Sequence, residues 1–549
     1  MKDMLREKIE STLQILVGKH NWPNDLDLTN FVLEEPRDPS FGHLATNAAM
    51  TLSKAVGLKP RDLAALIVAQ LKDDEGYIES KDIAGPGFIN FRLSLKWWAD
   101  VLKKIRALGA DYGRRAKTNR KVQLEFVSAN PTGPLHVGHG RGAALGDALA
   151  RIFSFLGDDV SREYYINDAG RQMRILGLSV LFRLKELLGR QVQAPSDYYK
   201  GDYIIDLASE FLKRLSKDFI NLPEEEQIEQ LSKLAGDKIL DGIKKDLSDF
   251  RVEFDQWYPE SSLHEKGLVE AAFKQLDKAG HLYDQDGALW FKSSDLGDDK
   301  NRVLVKSDGE RTYFAADIAY HKDKFDRGFV KLVDVWGADH HGYMPRMKAV
   351  VQALGWEADQ LSIVLVQLVN LLRDGQLVNM STRSGEFVTL REVLDEVGAD
   401  AARFIFLTRS HDSALDFDLE LAKAKTRDNP VFYVQYVCAR ISSLTAKAGI
   451  IEKDVDYNLL SEKEELEIIK HLALFKETLE SAARRLEPHL LTVYLSSLAK
   501  LFHQYYAVHR LVEETNAALT AARVTLAATV RQVTAIGLDL LGVSAPEKM

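Results

Sequence analysis

Cysteine is almost missing from this chain. A single one, Cys438, stands among 549 residues, which excludes a disulfide framework and any zinc site built on cysteines. Long apolar runs are missing too. The most apolar stretch, Leu361 to Leu372, is interrupted by Ser362, Gln367 and Asn370 and is too short to span a bilayer. The opening Met1-Lys2-Asp3-Met4-Leu5-Arg6 starts a charged amphipathic helix and lacks the apolar centre of a signal peptide. There is no basic excess either: the formal net charge is −9. That argues against a protein that coats nucleic acid indiscriminately, although local basic surface, not the total, decides a specific nucleic-acid contact. These absences predict a soluble, cytoplasmic protein with no membrane partner. With 46% apolar residues, the chain is long enough for three or four domains with their own cores.

What is present centres on the stretch from Val122 to Gly157. Val122, Leu124 and Phe126 alternate with Gln123 and Glu125, the period of a strand. Ser128-Ala129-Asn130-Pro131-Thr132-Gly133-Pro134 then breaks every regular pattern. After Leu135-His136-Val137-Gly138-His139-Gly140 a helix follows, with Ala144, Leu145, Ala148, Leu149, Ile152, Phe153 and Leu156 at helical spacing and Gly157 ending it. A strand, a Gly-rich loop and a helix N-terminus together make an anion site of exposed backbone N–H groups. His136 and His139, three residues apart, can both face one bound phosphate, and Gly138 leaves room for a flat base or ribose. The plainer alternative is a pair of capping or solvent-facing histidines in a turn.

The remaining chain sorts into modules. Residues 1–110 read as an N-terminal α/β domain, with a helix on Leu5, Ile9, Leu13, Leu16 and Val17, another from Leu44 to Val56, and an edge strand over Phe88 to Leu93. Residues 111–375 read as the main domain. A second strand, Val160 to Tyr165, closes one βαβ half, and a charged helical insertion follows over about 173–280. Asp286-Gly287 and Asp308-Gly309 mark hairpins. The second half then runs through Thr312-Tyr313-Phe314 as a strand-like piece, a helix from Ala315 to Phe325, a strand over Leu332 to Trp336, a helix from Tyr343 to Leu354 and a strand over Ile363 to Val369. The fold class expected is α/β: a doubly wound, Rossmann-type parallel sheet with its ligand at the carboxyl ends of the strands. Residues 376–428 form a region of a loop and a nucleic-acid stem contact, and Asp428-Asn429-Pro430 opens an all-α helical bundle over 429–549. On its first helix Tyr433, Tyr436 and Arg440 share a face suited to stacking on unpaired bases, beside a stripe of Val434, Val437, Cys438 and Ile441.

Several of these runs carry a resemblance. H-V-G-H after S-A-N-P-T-G-P-L resembles the HIGH signature of class I aminoacyl-tRNA synthetases, and E-F-V-S-A-N-P-T-G-P-L-H-V-G-H-G-R-G-A resembles arginyl-tRNA synthetases in particular. So do E-E-P-R-D-P-S-F-G-H-L-A-T-N-A-A-M and A-G-P-G-F-I-N-F near the start, where the family carries an extension that touches tRNA, and N-P-V-F-Y-V-Q-Y-V-C-A-R-I at the head of an anticodon-binding domain. The resemblance implies activation of L-arginine by ATP, with Mg2+ as part of the ATP substrate, and transfer to tRNA(Arg) by a monomer without structural metal. It implies His136, His139, Ser381 and Arg383 as catalytic. It places ATP on Pro131, Gly133, Leu135, Val137, Gly138, Gly140, Asp339, His340 and Met380, and tRNA on Tyr433, Tyr436 and Arg440. Arginine's planar guanidinium wants carboxylates that accept paired hydrogen bonds, and its ammonium and carboxylate want acceptors and donors. Glu125, Ser128, Asn130, Tyr313 and Asp317 supply those types at the family's positions.

Trp336-Gly337-Ala338-Asp339-His340-His341-Gly342 has the residue types of a metal site, but adjacent ligands alternate in direction and no third cluster at ligand spacing accompanies them. The chain also departs from the family. Asn379 and Thr382 stand where the second signature, K-M-S-K-S, has its lysines, and Arg383 is the nearest cation. An arginine fork differs from a lysine point charge, so fast activation is in question while the fold is not. Two alternatives stay open: another class I synthetase, or a tRNA-binding paralogue that charges nothing.

Overall fold

A computed structural model describes residues 2–36, 38–216, 219–378, 388–449 and 455–549. The first module packs α1 (Lys2–His20), α2 (Ala48–Val56), α3 (Pro60–Gln70) and α4 (Leu95–Leu108) against β1 (Leu33–Glu34), β2 (Leu44–Thr46), β3 (Ile78–Ala84) and β4 (Phe88–Leu93). The strand order is β1-β2-β4-β3, so β4 is an interior strand and not an edge. Its neighbours bond it on both sides, and Ile89, Phe91 and Leu93 are buried. The expected helix from Leu44 is shorter at its start. Leu44–Thr46 pairs with β4, and Asn47 separates that strand from α2.

The second module is built on β5 (Lys121–Glu125), α5 (Val137–Phe155) and β6 (Asp159–Ile166). Helices α6 (Arg171–Leu187), α7 (Asp202–Leu212) and α8 (Glu224–Asp249) follow, then β7 (Gln256–Pro259), α9 (Ser261–Glu265) and α10 (Leu268–Lys278). A small antiparallel sheet of β8 (Leu282–Gln285), β9 (Ala288–Phe291) and β10 (Arg302–Val305) precedes α11 (Tyr313–Asp326), β11 (Lys331–Gly337), α12 (Met344–Ala353) and β12 (Leu361–Val366). The main sheet runs β12-β11-β5-β6-β7, every pair parallel. Three sequence expectations need correction. The charged insertion hides a sheet strand, because the four residues of β7 pair with Glu163–Ile166. Tyr313 and Phe314 are not in a strand: Thr312 takes the N-cap position and α11 starts at Tyr313. The last apolar run is two strands in two sheets, since β13 (Val369–Arg373) leaves the main sheet to pair with β14 (Gln376–Leu377) and β15 (Leu415–Asp418).

Helix α5 is the core of this module, buried on nearly every side. Its small residues make that possible. A Cβ on Gly146 would sit 2.2 Å from Cγ of Phe126, and one on Gly140 would sit 2.7 Å from Leu390. Beyond β14 come α13 (Leu390–Phe406) and α14 (Leu419–Lys423), then the helical module of α15 (Pro430–Ala448), α16 (Lys463–Ala473), α17 (Phe475–Arg485), α18 (His489–Val508) and α19 (Ala517–Leu540). Asn429 caps α15 by accepting from the N–H of Val431, and Pro430 takes the first helical position, where it costs no hydrogen bond. Fully buried Arg403 on α13 ties the modules together. It donates to the carbonyls of Leu541, Phe250 and Arg251 and to Asp147 of α5. No helix among the described residues is long and apolar enough to cross a membrane.

Candidate active site

At the carboxyl end of β5 the backbone turns sharply. Val127 (φ 69°) and Ser128 (φ 39°) are consecutive non-glycine residues in the left-handed region, a strained arrangement costing about 1–3 kcal/mol per residue. Two hydrogen bonds on the Ser128 hydroxyl hold it: Oγ donates to Glu125 Oε1 (2.9 Å) and accepts from the N–H of Tyr165 (3.1 Å). Further along, Tyr164 and Tyr203 donate their hydroxyls to the carbonyls of Ala129 and Thr132, both at 2.8 Å. Pro131 lies at the mouth of a cavity beside α8, and Leu135 is fully buried, its carbonyl accepting from Leu390 N–H.

The two histidines lock each other. His136 is the N-cap of α5; its Nδ1 accepts from the N–H of Gly138 (3.1 Å) and His139 (3.4 Å), while His139 Nδ1 accepts from the N–H of His136 (3.2 Å). The rings stack at 3.6 Å. A ring nitrogen that accepts carries no proton, so in both rings the hydrogen sits on Nε2. Burial lowers the pKa of both rings, that of His139 to about 3. The pair therefore offers two neutral N–H donors. Gly138 is needed for the lock, because a Cβ there would come within 3.0 Å of the His136 ring. The capping alternative is thus part of the answer: the histidines do cap the helix, through Nδ1.

These groups line one cleft of about 840 Å³. Its walls include Ser128, Asn130, His136, Gly138 and His139 on one side and Trp336, Asp339, His340 and Leu368 on the other. Asp339 and His340 are exposed, 3.7 Å apart. Arg141, buried behind the cleft, donates to the carbonyls of Gln367 and Ser410 and fixes the far wall.

Beneath the strand ends lies a row of acids. Asp334, Glu125 and Glu163 are in register across β11, β5 and β6, and α11 covers them with cations. Lys324 Nζ reaches Glu125 (2.5 Å) and Asp334 (2.9 Å), His321 Nε2 meets Asp334 (2.8 Å), and Arg327 grips both oxygens of Glu163 (2.5 and 2.9 Å). Burial alone would lower the Lys324 pKa, but Asp334 and Glu125 outweigh it and raise it above the ordinary value. Burial likewise opposes ionisation of Asp334, yet Lys324 and His321 bring its pKa to about 2. Glu125 therefore has both oxygens engaged within the protein, one by Lys324 and one by Ser128.

Asp317 stands one turn along α11 from Tyr313, which is 62% exposed. Its carboxylate accepts from the Tyr343 hydroxyl, and burial raises its pKa. Glu260, which directly follows β7, is a second buried carboxylate. It accepts from the Tyr165 hydroxyl (2.8 Å); burial raises its pKa, and the nearby charge of Asp317 adds to that. Asp168 anchors the adjoining turn through Ser261 N–H and Oγ. Glu260, Tyr165, Tyr343 and Lys324 were not singled out from the sequence. The signal for Glu260 was its place right after W-Y-P, legible only once those residues are known to be a strand.

Three family models divide the chain: an arginyl-tRNA synthetase N-terminal domain over residues 3–93, a class I (R) tRNA synthetase catalytic domain over 102–421, and a DALR anticodon-binding domain over 434–549. The chain belongs to the arginyl-tRNA synthetase family. An arginine–tRNA ligase of Nitratidesulfovibrio vulgaris is 50% identical, covering 99% of this chain and 100% of that one. Another from Desulfosudis oleivorans is 52% identical over 94% of each. Among solved structures, a putative arginyl-tRNA synthetase of Campylobacter jejuni matches with TM-score 0.77 and 38% identity, over 83% of this chain and all of that one. The Thermus thermophilus arginyl-tRNA synthetase shares the fold, with TM-score 0.75 at 22% identity and full coverage of both chains.

Within this synthetase fold, the second signature lies outside the described residues, and with it Met380, Ser381 and Arg383. The chain on either side is described: Val378 N–H bonds the carbonyl of Leu371, and Val137 N–H bonds that of Val388. In the C-terminal module the three residues expected to meet tRNA do come together. The Arg440 guanidinium lies between the rings of Tyr436 (4.6 Å) and Tyr506 (4.7 Å), and Tyr433 packs on His503 (4.6 Å). Tyr505, by contrast, is fully buried and donates to Glu465.

Proposed function

We propose that the cleft at the carboxyl ends of β5 and β11 performs the arginine–tRNA ligase reaction. The carboxylate of L-arginine attacks the α-phosphorus of Mg-ATP in line. A C–O–P mixed anhydride forms as the bond from the α-phosphorus to the bridging oxygen breaks, and pyrophosphate leaves with that electron pair. The 2′-hydroxyl of the terminal adenosine of tRNA(Arg) then attacks the carbonyl carbon, forming the ester and releasing AMP. No protein nucleophile is required; catalysis is positioning and charge stabilisation.

The observation that carries this reading is the backbone-locked pair of His136 and His139 at the N-terminus of α5. Two neutral Nε2–H donors beside the positive end of a helix suit a triphosphate whose charge grows on its leaving group. Gly138, Gly140 and the loop from Pro131 to Val137 frame the nucleotide, with Asp339 and His340 opposite. Met380, Ser381 and Arg383 close on the phosphates in this reading. Asp317 and Glu260, two acids whose ionisation burial opposes, fit a cationic guest, and the guanidinium satisfies both. Tyr313 covers the pocket. Ser128 and Asn130 receive the ammonium end, with Glu125 holding Ser128 in place. The protein acts as a cytoplasmic monomer, and Tyr433, Tyr436 and Arg440 take anticodon bases.

The test is tRNA aminoacylation with each of the twenty amino acids, in wild type and in Arg383→Ala. Charging by arginine alone supports the reading, and its loss in the variant makes Arg383 the stand-in for the absent lysines. A wild type that binds tRNA and charges nothing is a binding paralogue, and the reading fails.

A further inference from the structure

The two carboxylates assigned to the guanidinium share a feature the reaction itself does not demand: each has one oxygen taken by the hydroxyl of a half-buried tyrosine. Tyr343 donates to Oδ2 of Asp317, and Tyr165 donates to Oε2 of Glu260 at 2.8 Å. The tyrosines come from different elements. Tyr165 sits on β6 and Tyr343 just ahead of α12, and both rings are fixed by neighbours. Tyr165 packs on Tyr320 (4.5 Å), and Tyr343 packs on Phe314 and Trp336 (6.0 Å each) with Arg346 over its face (4.4 Å).

We propose that Tyr165 and Tyr343 are positioning residues for arginine specificity: each pins one carboxylate oxygen so that the other is presented, already oriented, to the guanidinium fork. The proposal rests on the reading of Asp317 and Glu260 above. Terminal carboxylate torsions are broad and two-fold, so an unpinned acid samples orientations that miss a planar fork. Orientation fixed before binding raises affinity without adding a contact to the substrate. The hydroxyls have a second effect. Burial pushes both acids towards the neutral form, and the tyrosine donors act against it. Burial and the adjoining acid also keep each phenol protonated, so it can only donate.

Phenylalanine in place of either tyrosine keeps the ring and removes one donor, so folding is little disturbed; melting curves confirm it. Tyr343→Phe and Tyr165→Phe are each expected to raise KM for arginine about ten- to hundredfold, the loss of one hydrogen bond to a charged group, with KM for ATP unchanged within about twofold. A pH profile separates orientation from mere packing. The charged and titratable groups facing Asp317 are Tyr343, His321, Lys324, Asp334 and Glu260; those facing Glu260 are Tyr165, Asp317 and Asp168. None of these is altered by Tyr343→Phe except through the lost donor. Losing the donor raises the Asp317 pKa further, so the variant's arginine KM should climb more steeply than that of wild type as the pH is lowered. Asp317→Asn, run in parallel, tests the underlying pocket. If Asp317→Asn raises the arginine KM and both tyrosine variants leave it within twofold, the pinning role is wrong while the pocket stands. A parallel rise in KM for ATP also overturns pinning, because it signals general damage. If Asp317→Asn itself leaves the arginine KM unchanged, the pocket reading falls and takes the proposal with it.

Discussion

Two of the buried charge clusters among the described residues are built in opposite senses. Around Asp147 of α5 stand three arginines: Arg403, Arg151 and Arg162. That cluster is rich in cation, and carbonyl oxygens satisfy it, above all those of Leu541 and Phe250 at the C-terminal ends of α19 and α8. Helix C-termini carry the negative end of the dipole, so Arg403 of α13 joins α5, α8 and α19 without a second carboxylate. The cluster under the cleft is rich in acid: Asp334, Glu125, Glu163 and Asp317 face Lys324, His321 and Arg327. The first is closed on backbone and holds the architecture. The second leaves negative potential at the strand ends, where a cationic amino acid arrives. Buried charge ends on carbonyls in the first cluster and on carboxylates in the second.

Removing the keystone cation from each cluster gives the largest effects. Lys324→Met leaves Glu125 and Asp334 facing each other across paired strands with one ammonium fewer. Breaking a buried ion pair from one side costs about 3–5 kcal/mol, so urea unfolding should shift by that amount. Arg403→Met should cost somewhat less, about 2–4 kcal/mol, because the abandoned carbonyls can take water and Asp147 keeps Arg151. The distinction lies in kinetics. The folded fraction of Arg403→Met should keep its arginine KM, while that of Lys324→Met should not. Equal arginine KM values in the two variants would erase the contrast between assembly and recognition.

Next in size is the glycine on which the first cluster closes. Gly542 has φ +68°, and a Cβ there would lie 2.3 Å from the Arg403 guanidinium. Gly542→Ala should cost about 2–3 kcal/mol, from backbone strain plus the displaced arginine, read as a lowered melting temperature. If Gly542→Ala melts like wild type, Arg403 is not tightly seated.

The acid-rich cluster should respond to acid. Asp334 has its pKa depressed to about 2 from an ordinary 3.8. A depressed carboxyl contributes stability that is fully present above the unfolded value and lost as pH falls through the folded one. Unfolding free energy should therefore drop by roughly 2 kcal/mol between about pH 4 and pH 2 from this group. Asp334→Asn should remove that portion of the slope. A slope unchanged in the variant would place the acid sensitivity elsewhere.

The contrast between the clusters also marks where sequence reasoning stops. The strand, loop and helix over residues 121–155 were legible because periodicity, two prolines and glycines at tight contacts all agree there. The modules at either end were legible for similar reasons. Register was not. Nothing local says that Asp334, Glu125 and Glu163 fall side by side, or that the two oxygens of Glu125 meet Lys324 and Ser128. β7 was missed because four residues are too few for a period, and Glu260 was missed with it. Tyr313 was misplaced because β-branched and aromatic residues favour strands, yet the apolar spacing of Phe314, Ile318 and Phe325 serves a helix better.

The smallest effect belongs to another cationic site, half-buried instead of buried. Arg440 lies between Tyr436 and Tyr506, with His503 3.2 Å from its guanidinium. Here no buried acid demands the charge, so its removal should hardly touch stability. Stacking and cation–π contacts to an unpaired base are worth about 1–3 kcal/mol. Arg440→Ala should therefore weaken tRNA binding about tenfold, measured by filter binding at fixed salt, because part of the aromatic platform remains. Arginine and ATP KM values should stay as in wild type, since the site belongs to α15 and α18 and shares no residue with the cleft. Should Arg440→Ala instead lower the melting temperature and leave tRNA affinity intact, the cation is a packing element of the helical module, and the half-buried site joins the first cluster as architecture.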